Sequence, residues 1–352
     1  MLLSVLKKKY FEAKKLANKK KKKLAFLIGN TIKSNKSNYY FTPPRITDKL
    51  VVFGIVVFDE SIATNVCKFL DGKVDIIFAD AEKKIIPKKD GTLGNIERCV
   101  REEIKKSKIY IYKGNDLSVD SVDLIVRQYF NKDLVGVAGK KIGIIGSGNI
   151  GSKIALYMTE LGAKVYLDRR NKKKLKCIVD AINYLKPINT KEKAIISNKL
   201  SASKNADVLI GSSNGKAVIN STMVDILKKN SIIIDAGKGT LTNDAIKRAN
   251  DRKISIFRVD IFPSLEGLIS KTFSMEKQIS KILKKKRIEN INIFNTGKLG
   301  SYGDLIVDDI DKISIVYGVC DGKGDFLRKI PKKYNSLIKK LTNQKWRFLN
   351  TQ

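Results

Sequence analysis

Short apolar runs alternate with amphipathic stretches along most of this chain, and that alternation predicts a parallel α/β fold. Leu50 to Phe58 (LVVFGIVVF) is apolar without a break, the pattern of a strand buried on both faces. Asp59 and Glu60 end it, and a helix through Val66 and Phe69 follows. Val74 to Ala79 then reads as a second strand, Ile96 to Lys106 as a helix and Ile109 to Tyr112 as a third strand. From Asn115 to Tyr129 the apolar residues Val119, Val122, Ile125 and Val126 share one helical face, with Asp116 or Ser118 as the cap. Beyond this connecting helix come strands at Ile142 to Ile145, Val165 to Leu167, Val208 to Ser212, Ile232 to Asp235 and Ile254 to Val259. The expected architecture is a doubly wound parallel sheet (Rossmann) over residues 131–280, with a smaller N-terminal α/β domain over 38–130. Residues 1–37 read as a basic N-terminal segment. Residues 281–352 carry strand-like runs at Ile291 to Phe294 and Leu305 to Val307, and either pack back on the first domain or form a dimer contact.

The chain's chemistry is concentrated in one turn. Gly146-Ser147-Gly148-Asn149-Ile150-Gly151 has the spacing G-x-G-x-x-G, between an apolar strand and a helix that Gly162 ends. The first glycine permits a sharp turn, the second lets backbone approach a diphosphate, and the third lets helix and strand pack closely. The end of the following strand selects the cofactor, because an acid there takes the ribose hydroxyls of NAD and arginine accommodates the 2′-phosphate of NADP. Its residues are Asp168-Arg169-Arg170-Asn171. Strand alternation puts Arg169 in the usual acid position, with Lys174 nearby. NADP is therefore expected, with NAD through Asp168 as the alternative. Ser212 and Ser213, in the turn that ends at Gly215, are placed against the nicotinamide side.

Composition narrows the rest. The 352 residues hold 70 Lys and Arg against 35 Asp and Glu, a formal charge of +35. The lysines run along the whole chain and no nucleic-acid module accompanies them, so nucleic acid is not the expected partner. The run Lys19 to Lys23 reads as a solvated face. There is no histidine, which removes the commonest acid–base residue and every Ser-His-Asp arrangement. Cys67, Cys99, Cys177 and Cys320 form no C-x-x-C pair and read as reduced thiols of a cytoplasmic protein. No apolar run is long enough to span a membrane, and Leu24 to Ile28 is too short for the core of a signal peptide.

In parallel sheets ligands sit beyond the carboxyl ends of the strands. In the first domain those ends carry Asp59, Glu60, Asp80, Glu82 and Lys113 to Asp116. Lys113 is the first candidate for the proton-handling residue, provided its pKa is lowered, with Asp116 and Asp120 one helical turn apart beside it. Lys238, between two glycines at a strand end, is the second lysine. Tyr39-Tyr40-Phe41-Thr42-Pro43-Pro44-Arg45 reads as an extended loop fixed by its prolines, for packing or for lining a pocket.

A small α/β domain, a connecting helix and a G-x-G-x-x-G domain resemble the layout of shikimate dehydrogenases and of methylenetetrahydrofolate or methylenetetrahydromethanopterin dehydrogenases. Asn115-Asp116 through Asp120 looks like the polar patch that precedes the dinucleotide domain in the first group. Arg169-Arg170-Asn171 resembles its Asn-Arg-Thr turn, with Arg169 in place of Asn. Ser231 to Gly237 and Val259 to Gly267 are similar to the late strands of the folate group. The resemblance implies an NAD(P)-dependent dehydrogenase of a small metabolite or one-carbon carrier, in a homo-oligomer. The competing readings are a dinucleotide-binding regulatory or scaffold protein without turnover, and a basic nucleic-acid-associated protein.

Overall fold

The computed structural model describes residues 2–31, 38–84 and 96–342. The chain divides into two compact units, Met1–Glu266 and Gly267–Gln352. The first is built on two sheets. Helix α1 (Leu2–Lys20) is followed by strands β1 (Lys23–Asn30), β2 (Tyr39–Ile46) and β3 (Leu50–Val57), helix α2 (Glu60–Leu70), β4 (Ile76–Asp80), α3 (Ile96–Glu103) and β5 (Lys108–Tyr112). The strand order is β2-β3-β1-β4-β5, with β2 antiparallel to β3 and every other pair parallel.

Two of these strands differ from the reading of the sequence. Leu24 to Ile28, weighed only as a signal-peptide core, lies in the central strand β1, so the first sheet begins inside the stretch taken as a basic segment. Lysines on both sides mask it, although seven of its eight residues are buried. The proline-containing loop is the edge strand β2, and its register against β3 shifts between Thr42 and Arg45. Proline lacks the N–H a central strand needs, so an edge with an irregularity is where a strand tolerates two of them.

All three helices pack on one face of this sheet. Leu6, Tyr10, Ala13 and Ala17 of α1 join Ala63, Val66 and Leu70 of α2 and Ile96 and Val100 of α3 over Phe26, Phe53 and Ile55. The rings of Phe26 and Phe53 meet edge to face at 4.6 Å. Burying each such side chain contributes roughly 1.5–3 kcal/mol. Asp59 starts α2 by accepting a hydrogen bond from the Ser61 N–H at 2.6 Å.

Helix α4 (Gly114–Tyr129) leads to the second sheet, formed by β6 (Lys141–Ile145), β7 (Lys164–Asp168), β8 (Ala194–Ile196), β9 (Val208–Gly211), β10 (Ile232–Asp235) and β11 (Ser255–Arg258). Helices α5 (Asn149–Glu160), α6 (Lys172–Leu185), α7 (Lys199–Ser203), α8 (Ser221–Asp225) and α9 (Asn243–Asp251) make the crossovers. The order β11-β10-β9-β6-β7-β8 is parallel throughout, the doubly wound arrangement expected. Helices α4, α5 and α6 cover one face, over Ile142, Ile144 and Ile234, and α7, α8 and α9 the other, over Leu209 and Ile233.

Helix α10 (Phe262–Ile282) starts at the end of the first unit and continues into the second. There β12 (Lys286–Ile288), β13 (Ile291–Asn295), β14 (Leu305–Val307) and β15 (Val316–Val319) form a sheet in that order. Helix α11 (Lys332–Thr342) packs Tyr334, Leu337 and Ile338 against Ile293, Leu305 and Val319, giving this unit a core of its own.

Candidate functional site

The glycine turn joins β6 to α5, and two of its three glycines have a measurable reason to lack a side chain. Gly146 has φ 105°, and a methyl on it would lie 2.6 Å from the Ser213 backbone nitrogen. A methyl on Gly151 would lie 2.3 Å from the Gly146 carbonyl oxygen and 2.4 Å from Ser212 Oγ. Gly148, the residue before α5, faces open space. As the first N–H groups of a helix, those of Asn149, Ile150 and Gly151 have no intrahelical acceptor. Tight packing on two sides of an open helix start gives a diphosphate room and donors.

Neighbouring side chains stabilise this turn. Ser147 is buried and its hydroxyl donates to the Asp168 carbonyl at 3.3 Å. The Ser212 hydroxyl donates to the Gly146 carbonyl, and that of Ser213 to the Lys216 carbonyl at 2.6 Å. Arg169 donates from its guanidinium to the Ser147 carbonyl, which brings it over the loop. Asp168 is held by Lys172 at 2.9 Å. Asn171 caps α6 by accepting the Lys174 N–H at 2.9 Å, so its acceptor serves the helix. Arg170 is exposed and has no partner among the described residues.

Two neighbouring strand ends bring further charge. A methyl on Gly237 would lie 2.0 Å from the Ser213 carbonyl oxygen, so the loop after β10 packs directly on the Ser212–Ser213 turn. Buried Asp235 sets that loop, accepting from Gly239 N–H at 2.8 Å, Thr240 N–H at 3.1 Å and Thr240 Oγ1 at 2.7 Å. Burial pushes its pKa up, but these bonds and that from Arg258 outweigh it and hold the carboxyl below its ordinary range. Lys238 is thereby fixed at φ 56° and exposed, without a hydrogen bond or ion pair among the described residues. Asp260, two residues past β11, pairs with Arg45 of β2 at 2.6 Å. Its burial is outweighed by Arg45, by the Phe262 N–H and by the charge of Lys238, and its pKa is lowered. The sequence did not link Arg45, Lys238 and Asp260. Their shared signal is that Lys238 and Asp260 each follow a strand end.

The first sheet meets α4 and α5 through a second cluster. Asp80 accepts from Gly114 N–H at 3.1 Å and Lys84 at 2.8 Å, and Glu82 accepts from Asn115 N–H at 2.7 Å. Lys153 of α5 reaches Asp116 and lies 3.8 Å from Glu82, while Asn115 donates to Asn149 at 3.0 Å. Lys113 belongs to this cluster. It is largely exposed and lies 3.1 Å from Asp116, whose hydrogen bond and charge raise its pKa. A lysine that exchanges a proton near neutrality needs the opposite shift. Asp116 is lowered, since Lys153 and Lys113 outweigh its partial burial. Asp120 is half-buried on the same helix, and its charge, after burial, helps raise Tyr157.

Comparison with known proteins places the second sheet. Residues 125–279 match the family model "D-isomer specific 2-hydroxyacid dehydrogenase, NAD binding domain". D-3-phosphoglycerate dehydrogenase of Haemophilus influenzae is 28% identical over 193 residues, 51% of this chain and 44% of that protein. The chain thus spans less than half the length of this relative. A dipicolinate synthase polypeptide of Bacillus halodurans is 12% identical, with 72% of this chain and 97% of that one covered at a TM-score of 0.35. The NAD-complexed D-isomer specific 2-hydroxyacid dehydrogenase of Lactobacillus delbrueckii ssp. bulgaricus is 14% identical, with 58% and 62% covered at 0.30. Superpositions that loose carry no argument about function. The match does not support the resemblance to shikimate and folate dehydrogenases. No helix among the described residues is long and apolar enough to cross a membrane.

Proposed function

We propose that the first unit is an NAD(P)-dependent oxidoreductase that moves a hydride to or from a small anionic metabolite of the 2-hydroxy or 2-oxo acid class. The observation that carries this reading is the open space at Gly148, before a helix whose first N–H groups are free, with the unpaired Lys238 two strands away. The bound nicotinamide would supply the hydride chemistry. The chain's residues bind and orient the reactants. The N–H groups of Asn149, Ile150 and Gly151 hold the diphosphate, and the turn at Ser212 and Ser213 shapes the nicotinamide side. Lys238 binds the substrate oxygen and stabilises the charge that develops on it, and Arg45 and Asp260 position the substrate beside it.

NADP is the preferred cofactor in this reading. Lys172 already neutralises Asp168, which leaves that acid poorly placed to take ribose hydroxyls, and Arg169 and Arg170 supply forked donors for a 2′-phosphate. NAD held through Asp168 is the alternative, and the family matched is one that binds NAD. We further expect a homo-oligomer in the cytoplasm.

Calorimetric titration with NADPH and NADH, on the wild type and on Arg169→Ala with Arg170→Ala, tests the proposal. Loss of charge-assisted bonds should weaken NADPH about 10- to 100-fold and leave NADH unchanged. Equal affinity for both cofactors in the wild type moves selectivity to Asp168. Absence of binding by either removes the enzyme reading and leaves a scaffold.

A further inference from the structure

The cavity that bears most on substrate choice lies away from the glycine turn. It is an open hollow of about 800 Å³ beside the edge strand β11. Leu124, Ile125 and Tyr129 of α4 line one part and Phe257 of β11 another, Arg258 and Asp260 line it from the end of that strand, and Gln128, Asn131 and Lys132 are among its polar residues. Leu124, Tyr129 and Phe257 are 40%, 39% and 37% exposed, so three large apolar side chains from two elements leave much of their surface in one hollow. Scattered apolar residues on a surface call for no explanation, but a concave group of them does. The volume is that of a small-molecule site, which is mostly apolar with a few convergent polar groups.

Asp260 ties this cavity to the reaction site. It lines the cavity, pairs with Arg45 at 2.6 Å and lies within charge range of Lys238. An acid head held at Lys238 and Arg45 would therefore put its side group against Phe257 and Leu124. We infer that the substrate carries a bulky apolar, preferably aromatic, side group and that the α4–β11 cavity seats it. The inference rests on the proposed oxidoreductase reading for its head group. In the reduction of such a 2-oxo acid, the carbonyl carbon accepts the hydride of NAD(P)H and the C=O π bond opens. The oxygen takes a proton, and the 2-hydroxy acid and NAD(P)⁺ leave.

Two measurements on the full chain test this independently. The first compares kcat/KM for phenylpyruvate and pyruvate with NADPH and NADH. Burial of the benzyl group should favour phenylpyruvate about 10- to 100-fold, and Leu124→Arg or Phe257→Ala should collapse that ratio. The second titrates 4-phenylbutyrate, which has no carbonyl to reduce, by calorimetry. It should bind the wild type and be lost in Leu124→Arg, with circular dichroism melts confirming that each variant folds. A ratio near one together with no phenylbutyrate binding overturns the inference, even where pyruvate is reduced. Phenylbutyrate binding that Leu124→Arg abolishes, without turnover of any oxo acid, supports the cavity as a site for apolar carboxylates and removes the reaction. If light scattering shows that Leu124→Arg turns an oligomer into a monomer and no probe binds, the cavity is a contact between copies of the chain and the inference falls.

Discussion

Two glycines three residues apart make opposite predictions for the same substitution. At Gly151 a new Cβ would sit 2.3 Å from the Gly146 carbonyl oxygen and 2.4 Å from Ser212 Oγ. The Ser212 side chain can rotate away, but Gly146 is pinned by its own φ of 105° and by the Ser213 backbone. Relieving the carbonyl contact requires α5 to move by about 1 Å from β6, a form of overpacking that costs roughly 1–3 kcal/mol. For a unit of this size that lowers Tm by about 2–12 °C. At Gly148 the same methyl meets nothing, and φ of −88° suits any residue. There the loss of unfolded-state freedom should leave stability unchanged or raise it by about 0.4–1 kcal/mol. The methyl would, however, occupy the space proposed for the diphosphate. Gly148→Ala should therefore keep its Tm and bind NADPH at least about tenfold more weakly, whereas Gly151→Ala should lose both. Differential scanning calorimetry and cofactor titration on the two variants read this directly. Full NADPH affinity in Gly148→Ala would refute the placement of the diphosphate at α5.

The remaining expectations concern charge. Asp235 has a folded pKa below its unfolded value of about 3.9, so its contribution is present above that value and is lost as pH falls through the folded pKa. Asp235→Asn should cost about 1.5–3 kcal/mol near neutrality, and flatten the fall of Tm between about pH 5 and pH 2; an unchanged acid limb would show that the carboxylate does not set this loop. Lys113→Met removes only an exposed pair and should change kcat less than about twofold. A hundredfold loss in steady-state assays would return Lys113 to the reaction.

Much of the fold was legible because parallel strands announce themselves. Five of the six strands of the second sheet coincide with apolar runs bounded by Gly, Asn or Asp, and α4 showed its buried face through Val119, Val122 and Val126. The misses have local causes. Strand β1 is hidden by Lys19 to Lys23 and by a helix that ends only at Lys20. Strand β8 is three residues long, with Ile195 and Ile196 exposed at the sheet edge, so it lacks the apolar signature of a central strand. Edge position also explains β2, where two prolines contradict the propensity of a strand but not the needs of an edge.

The candidate site was harder because its residue types are common everywhere in the chain. With 70 basic residues, a lysine at a strand end is no signal by itself. Lys84, Lys113 and Lys153 all look available in the sequence, yet Asp80, Glu82 and Asp116 neutralise them. Acids are the scarcer currency here, and those at this junction are committed to holding α4 and α5 to the first sheet. What distinguishes Lys238 is that the nearest acids have other work. Asp235 shapes its loop and Asp260 is taken by Arg45, so Lys238 keeps an unneutralised charge on a backbone fixed at positive φ. In a chain with no histidine, an unpaired cation on a rigid strand end is the group best placed to meet an anionic substrate. Pairing, which only the three-dimensional structure shows, separates Lys238 from Lys84, Lys113 and Lys153.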